Sequence, residues 1–317
     1  MLKDKILQYY KSILYKRFDG EIAYYFGLKD FLNLKAIAYE FKSSKDITLR
    51  GNFYYYDNYK DDHIIVFDHG MGAGHNSYFR EIELIASKGY MVYSYDHTGC
   101  MGSDGEHSNG FLTSLADLDY CLKAIKKDYP NHKISVIGHS WGGFSTSNIA
   151  SFHPDIAHVI SLAPFISLDA MLRQTFAGLL SFMRKDIMAF DSSFYPEYAH
   201  SSAIKALENY NGYALIIHSK DDDVLNIKYH FNKLKKALQQ RQNIEFIMVD
   251  KKRHNPHYSL NAIKLLKEYK KELRLLSKKG LIKNKEEQEK LIQKYDWLSM
   301  TEQDEDIWNK IFEVLEK

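Results

Sequence analysis

Gly138-His139-Ser140-Trp141-Gly142-Gly143 decides how this chain is read. It fits G-x-S-x-G, a pattern in which a strand bends sharply into a helix with a serine at the bend. Upstream, Lys133-Ile134-Ser135-Val136-Ile137 is a short, mostly apolar run that predicts a buried strand. Downstream, Phe144 to Ala150 continues as a helix. A serine at such a bend is forced into a strained backbone conformation, and glycines two positions either side let strand and helix pass closely. The bend lifts the hydroxyl out of the sheet, where a base can reach it. Taken alone, the pattern also describes an ordinary glycine turn after a strand. Its partners must come from the rest of the chain.

Serine is a poor nucleophile at neutral pH and needs a base, itself oriented by a carboxylate. In a sheet of this kind the chain order is serine, acid, histidine, each following a strand. Leu215-Ile216-Ile217 predicts one such strand, and Asp221, Asp222 and Asp223 follow it as candidate acids. Ile244 to Val249 predicts the last strand, and His254 is the first histidine after it. His257 is the rival base and otherwise reads as a surface residue at a helix start. The parts occur in the order that catalysis requires, so the expected chemistry is serine hydrolysis of an acyl compound.

With these residues in hand, the chain resembles the α/β-hydrolases over roughly residues 35–275. His218-Ser219-Lys220-Asp221-Asp222-Asp223-Val224-Leu225 is similar to the family's His-Gly-x-x-Asp-x-x-Val stretch, with Ser219 for glycine and Leu225 for valine. The resemblance puts the acid at Asp222. His254-Asn255-Pro256 resembles the catalytic-histidine loop. His69-Gly70-Met71-Gly72 resembles the oxyanion loop, which implies the backbone N–H groups of Met71 and Trp141 as donors to a tetrahedral intermediate. The Asp96 to Gly105 stretch also resembles a family loop, in which Asp96 is structural. The family spans esterases, monoacylglycerol-type lipases, thioesterases and peptidases, so resemblance leaves the substrate open.

Composition narrows the rest. The chain has 317 residues, 45% hydrophobic and 26% charged, with a formal net charge of +2. That is a globular composition with no sign of a nucleic-acid partner. Lysine-rich stretches have acids interleaved, and read as solvated helix faces rather than binding patches. Two cysteines, Cys100 and Cys121, argue against a disulfide framework and fit a cytoplasmic, reducing compartment. No secretory leader and no membrane span is expected. His254 and His257 have a spacing one helical turn could use for a metal, but no cysteine or carboxylate cluster completes a site. Neither metal nor cofactor is expected.

Strands at 36–41 and 47–56 predict an antiparallel pair, and the alternation after them predicts a mostly parallel sheet with helices on both faces. The expected division is an N-terminal helical segment (1–34), a core (35–275) and a C-terminal helical extension (276–317). In the first segment Leu2, Ile6, Tyr9, Tyr10, Ile13 and Leu14 recur at helical spacing between lysines, which predicts a helix docked on the core. A basic amphipathic helix of this kind also suits weak association with a membrane surface. Residues 165–211, rich in Phe, Leu and Met, are expected to form a helical lid over the site. In the extension, Thr301 is expected to cap a last helix whose apolar face carries Ile307, Trp308, Ile311, Phe312 and Leu315. The apolar lid favours a small-molecule carboxylic ester with a hydrophobic acyl group. A peptide or amide substrate is the alternative, and a non-catalytic binding protein on the same scaffold the remoter one.

Overall fold

The computed structural model describes residues 2–60, 62–72 and 74–317. A helix α1 (Leu2–Leu14) precedes strands β1 (Lys35–Lys42), β2 (Thr48–Tyr55) and β3 (His63–Asp68). Helix α2 (Phe79–Ser87), β4 (Met91–Tyr95), α3 (Thr113–Asp128), β5 (Lys133–His139), α4 (Trp141–Ile149) and β6 (His158–Leu162) follow in alternation. Next come α5 (Leu168–Thr175), α6 (Arg184–Ser192) and α7 (Ala203–Glu208), then β7 (Tyr213–Ser219), α8 (Phe231–Leu238) and β8 (Ile244–Val249). The chain ends in α9 (Leu260–Lys278), α10 (Lys285–Gln293), α11 (Trp297–Met300) and α12 (Glu305–Leu315).

The strands form one eight-stranded sheet in the order β1-β2-β4-β3-β5-β6-β7-β8. β2 runs antiparallel to β1 and β4, and the pairings from β4 through β8 are parallel. The central strand β3 is buried at every residue, which is why it reads as a continuous apolar run instead of an alternating one. The pleat then divides it: Ile64 and Val66 join the core under α3 and α4, and Ile65 and Phe67 join the core under α2 and α12. This is the doubly covered, mostly parallel sheet expected from the sequence.

The segment between β6 and β7 carries α5, α6 and α7 and packs against α1. Tyr10 donates to Asp191 Oδ2 at 2.5 Å, and the Tyr15 ring lies 4.9 Å from that of Phe190. Burial lifts the Asp191 carboxyl to about 6. Helix α1 is thus docked through Tyr10 and Leu14, while Leu2 and Tyr9 stay exposed.

The last helix starts later than expected. Asp304, not Thr301, is its N-cap and accepts from the Ile307 N–H at 3.0 Å; Thr301 instead closes α11. The reason is tertiary, because Asp304 also pairs with the buried Lys252 ammonium. Ile307, Trp308, Ile311 and Leu315 are buried as expected; Val314 joins them and Phe312 is half-buried.

Candidate functional site

Ser140 sits between β5 and α4 with φ +57° and ψ −106°. That is a region L-residues enter at a cost, held here by packing on both sides. A Cβ on Gly142 would lie 1.9 Å from the Asp68 carbonyl oxygen, and one on Gly138 would lie 2.3 Å from that of Gly142. Only glycine fits at either place. The Ser140 N–H donates to Leu162 O of β6, which ties the bend to the sheet.

The loops after β7 and β8 bring two more side chains to this bend. His254 Nε2 lies 2.8 Å from Ser140 Oγ, and His254 Nδ1 lies 2.9 Å from Asp222 Oδ2. Asp222 Oδ1 also accepts from the Val224 and Leu225 N–H groups at 2.8 Å each, and His218 Nε2 is 3.1 Å from Oδ2. Burial alone would raise this carboxyl. The His218 and His254 rings outweigh it and hold the group well below the usual carboxylate range. Asp222 is therefore an ionised acceptor at neutral pH.

The neighbouring aspartates do other work. Asp221 accepts from Ser219 Oγ at 2.6 Å and from the Arg253 N–H at 3.1 Å, joining the acid loop to the histidine loop. Asp223 lies on the outside, 3.4 Å from the Arg253 guanidinium. His257 is fully buried, not a surface residue: its Nε2 is 3.1 Å from Glu81 Oε1, and its ring packs on Tyr258. It is directed away from Ser140 toward α2 because the C-terminal extension closes over it, with the Asp304 N–H donating to His257 O.

Trp141 opens α4, so its N–H belongs to a first turn that has no partner within the helix. The loop holding Met71 runs alongside, and a Cβ on Gly70 would come within 3.5 Å of Ser140 Cβ. Trp141 thus adjoins the serine in the chain, and the loop passes the serine at Gly70, one residue before Met71. Asp96 is structural, accepting from His75 Nδ1 at 2.7 Å and from the Gly102 N–H at 3.0 Å.

Three features escaped the sequence reading. His139, the first variable residue of the pentapeptide, sits with Nε2 2.7 Å from His254 O and Nδ1 2.8 Å from Tyr78 Oη. Beneath the bend, His97 lies 3.1 Å from Asp68 and 3.5 Å from Asp117, all three fully buried. Burial opposes charge on His97, yet the two carboxylates raise it to about 10. The C-terminal extension braces the histidine loop: Lys252 donates to Tyr258 O and to Asp304, and the Ser259 N–H donates to Glu302 O. None of these had a motif to reveal it.

Among the described residues no group of three or more His, Cys, Asp or Glu side chains could hold a metal, and no helix is long and apolar enough to cross a membrane.

Known proteins share this architecture. Residues 63–193 match the alpha/beta hydrolase fold family model. The chain is 29% identical to a monoglyceride lipase homolog of Monkeypox virus over 113 residues, covering 35% of this chain and 41% of that protein. It is 27% identical to the Rattus norvegicus monoglyceride lipase over 131 residues, 39% of this chain and 43% of the enzyme. The match thus spans only about two fifths of the length of these relatives. Among solved structures, the Pyrococcus furiosus esterase Pf2001 superposes with a TM-score of 0.58 at 19% identity, over 82% of this chain and 98% of that one. The Pyrococcus horikoshii acylaminoacyl peptidase gives 0.54 at 18% identity, over 71% and 39% respectively. The chain is an α/β-hydrolase by fold, distantly related to monoglyceride lipases.

Proposed function

We propose that this chain is a serine hydrolase that cleaves a carboxylic ester with a hydrophobic acyl group. The carrying observation is the continuous line of contacts from Ser140 Oγ through the His254 ring to Asp222. Ser140 Oγ attacks the ester carbonyl while His254 Nε2 takes its proton. The Asp222 carboxylate holds the Nδ1–H tautomer and stabilises the imidazolium that forms. The Met71 and Trp141 N–H groups receive the oxyanion, where the start of α4 also supplies a favourable dipole. His254 returns the proton to the departing alkoxide, leaving an acyl-enzyme. Water then repeats the sequence and releases the acid.

The ester choice rests on the relatives, which are lipases, and on the apolar insertion. In this reading residues 165–211 are the lid: Gln174 of α5 donates to Val224 O and accepts from the Asn226 N–H, so the insertion touches the loop carrying Asp222.

Labelling by a fluorophosphonate probe tests the nucleophile. Wild-type protein is expected to label, and folded Ser140→Ala protein is not; a labelled mutant overturns the assignment. A panel of p-nitrophenyl esters against aminoacyl anilides tests the bond type. Faster cleavage of anilides would replace the ester reading with an amidase one.

A further inference from the structure

A groove of about 670 Å³ begins at His254 and runs along α9. Ile263 and Leu266 form its apolar floor, and the exposed Leu275 together with a rim of Lys267, Lys270, Lys271, Arg274 and Lys278 completes its lining. From Ile263 to Lys278 the helix advances roughly 22 Å at 1.5 Å per residue. The rim cations recur three or four residues apart, so they share one face. Among the described residues, none of the five has a carboxylate or other partner in hydrogen-bond or ion-pair reach. The helix's two acids lie elsewhere: Glu272 accepts from Lys294 at 2.6 Å and from Tyr295, and Glu268 also acts on the Tyr295 hydroxyl. In the sequence those acids are interleaved with the lysines. In the fold the helix separates them, and the only acid bordering the groove among the described residues, Asp223, is held by Arg253.

Unpaired like charges three and four residues apart oppose helix formation, and nothing within the chain relieves them here. A bound anion would. The apolar floor excludes a purely polar polyanion, and the inner end at His254 leads to the reacting centre. We infer that this groove binds a phosphate carried by the non-reacting part of the substrate, so that the substrate class is an acyl ester with a phosphate-bearing alcohol. This rests on the hydrolase reading for what happens at the inner end, whereas binding in the groove does not depend on turnover. Several ammonium groups and one guanidinium supply the point charges and the fork that phosphate oxygens accept from.

The test uses a matched pair, 1-lauroylglycerol and 1-lauroylglycerol 3-phosphate, each below its micellar concentration. The wild-type chain is expected to favour the phosphate ester at least tenfold in kcat/KM, with the preference shrinking as NaCl rises from 25 to 300 mM. The K267Q/K271Q/R274Q variant, whose replaced side chains hold no internal contact, is expected to lose that preference through KM. Equal turnover of the two by wild type, or a preference the variant keeps, overturns the inference. In parallel, Ser140→Ala protein is titrated calorimetrically with 1-lauroylglycerol 3-phosphate and with inorganic phosphate. Binding of either that the triple substitution weakens tenfold supports the groove even if no ester is cleaved; absence of both overturns it. A headgroup site prefers the lipid, and a free-phosphate site binds both alike. If the substitution weakens only binding to phosphatidylglycerol vesicles, the face is a membrane contact and the inference fails. p-Nitrophenyl butyrate turnover is read separately and judges only the hydrolase reading.

Discussion

His139 Nε2 donates to the main-chain oxygen of His254 at 2.7 Å, and the same ring accepts from Tyr78 Oη at 2.8 Å. A carbonyl oxygen only accepts, so the Nε2–H tautomer is required and Nδ1 is left to receive the Tyr78 proton. Burial, and then the nearby His254 and His257 rings, push the His139 imidazole well below its usual range and keep it neutral. One uncharged ring thereby joins the N-cap residue of α2, the elbow and the histidine loop.

Removing that joint should loosen His254 without touching the reacting atoms. His139→Ala is expected to lower kcat by about 10- to 100-fold with a smaller change in KM, the scale of an ångström misplacement in an active site. Tyr78→Phe, which keeps the ring and loses only the hydroxyl, should cost less. Steady-state kinetics on p-nitrophenyl butyrate read both. A His139→Ala enzyme with wild-type kcat would show the joint to be dispensable.

The three aspartates should separate sharply. Asp222→Asn keeps the shape but favours the wrong His254 tautomer, and is expected to lower kcat by about 10⁴-fold. Asp221→Asn keeps most of its hydrogen-bonding capacity and should stay within about tenfold of wild type. Asp223→Asn changes an exposed pair and should have the smallest effect. Parallel kinetics of the three variants check the order.

Lys252 is buried and its ammonium is held by Asp304 and Tyr258 O. Asp304→Ala removes both that partner and the α12 N-cap. A loss of about 3 kcal/mol or more in urea unfolding is expected, because an orphaned buried charge adds to a lost cap. A variant within about 0.5 kcal/mol of wild type would show that the extension does not brace the histidine loop.

The His97 ion pairs predict a particular alkaline instability. The folded-state value near 10 lies above the ordinary 6.5, so the folded chain holds this proton more tightly than the unfolded one. Its stabilisation is complete below about pH 6.5 and is lost as pH rises toward about 10. Unfolding free energies from urea titrations between pH 6 and 9.5 should fall steadily, by an amount on the order of a few kcal/mol. His97→Gln should flatten that slope, even if the variant starts less stable.

Much of this protein is written locally. The elbow is legible because its constraint is backbone geometry: no side chain fits where Gly138 and Gly142 pass, and a buried parallel strand must be apolar at every residue. The order of serine, acid and histidine follows from strands that each end at the same edge of the sheet. Tertiary structure decided what depends on facing. Asp222 rather than its neighbours points at His254, His257 turns inward to Glu81, and Asp304 displaces Thr301 as a cap because Lys252 needs it. The same holds for α9, where interleaved charges become a cationic face only once Tyr295 and Lys294, more than twenty residues further on, draw the glutamates to the other side. Periodicity tells which residues share a face of a helix, and only packing tells what that face meets.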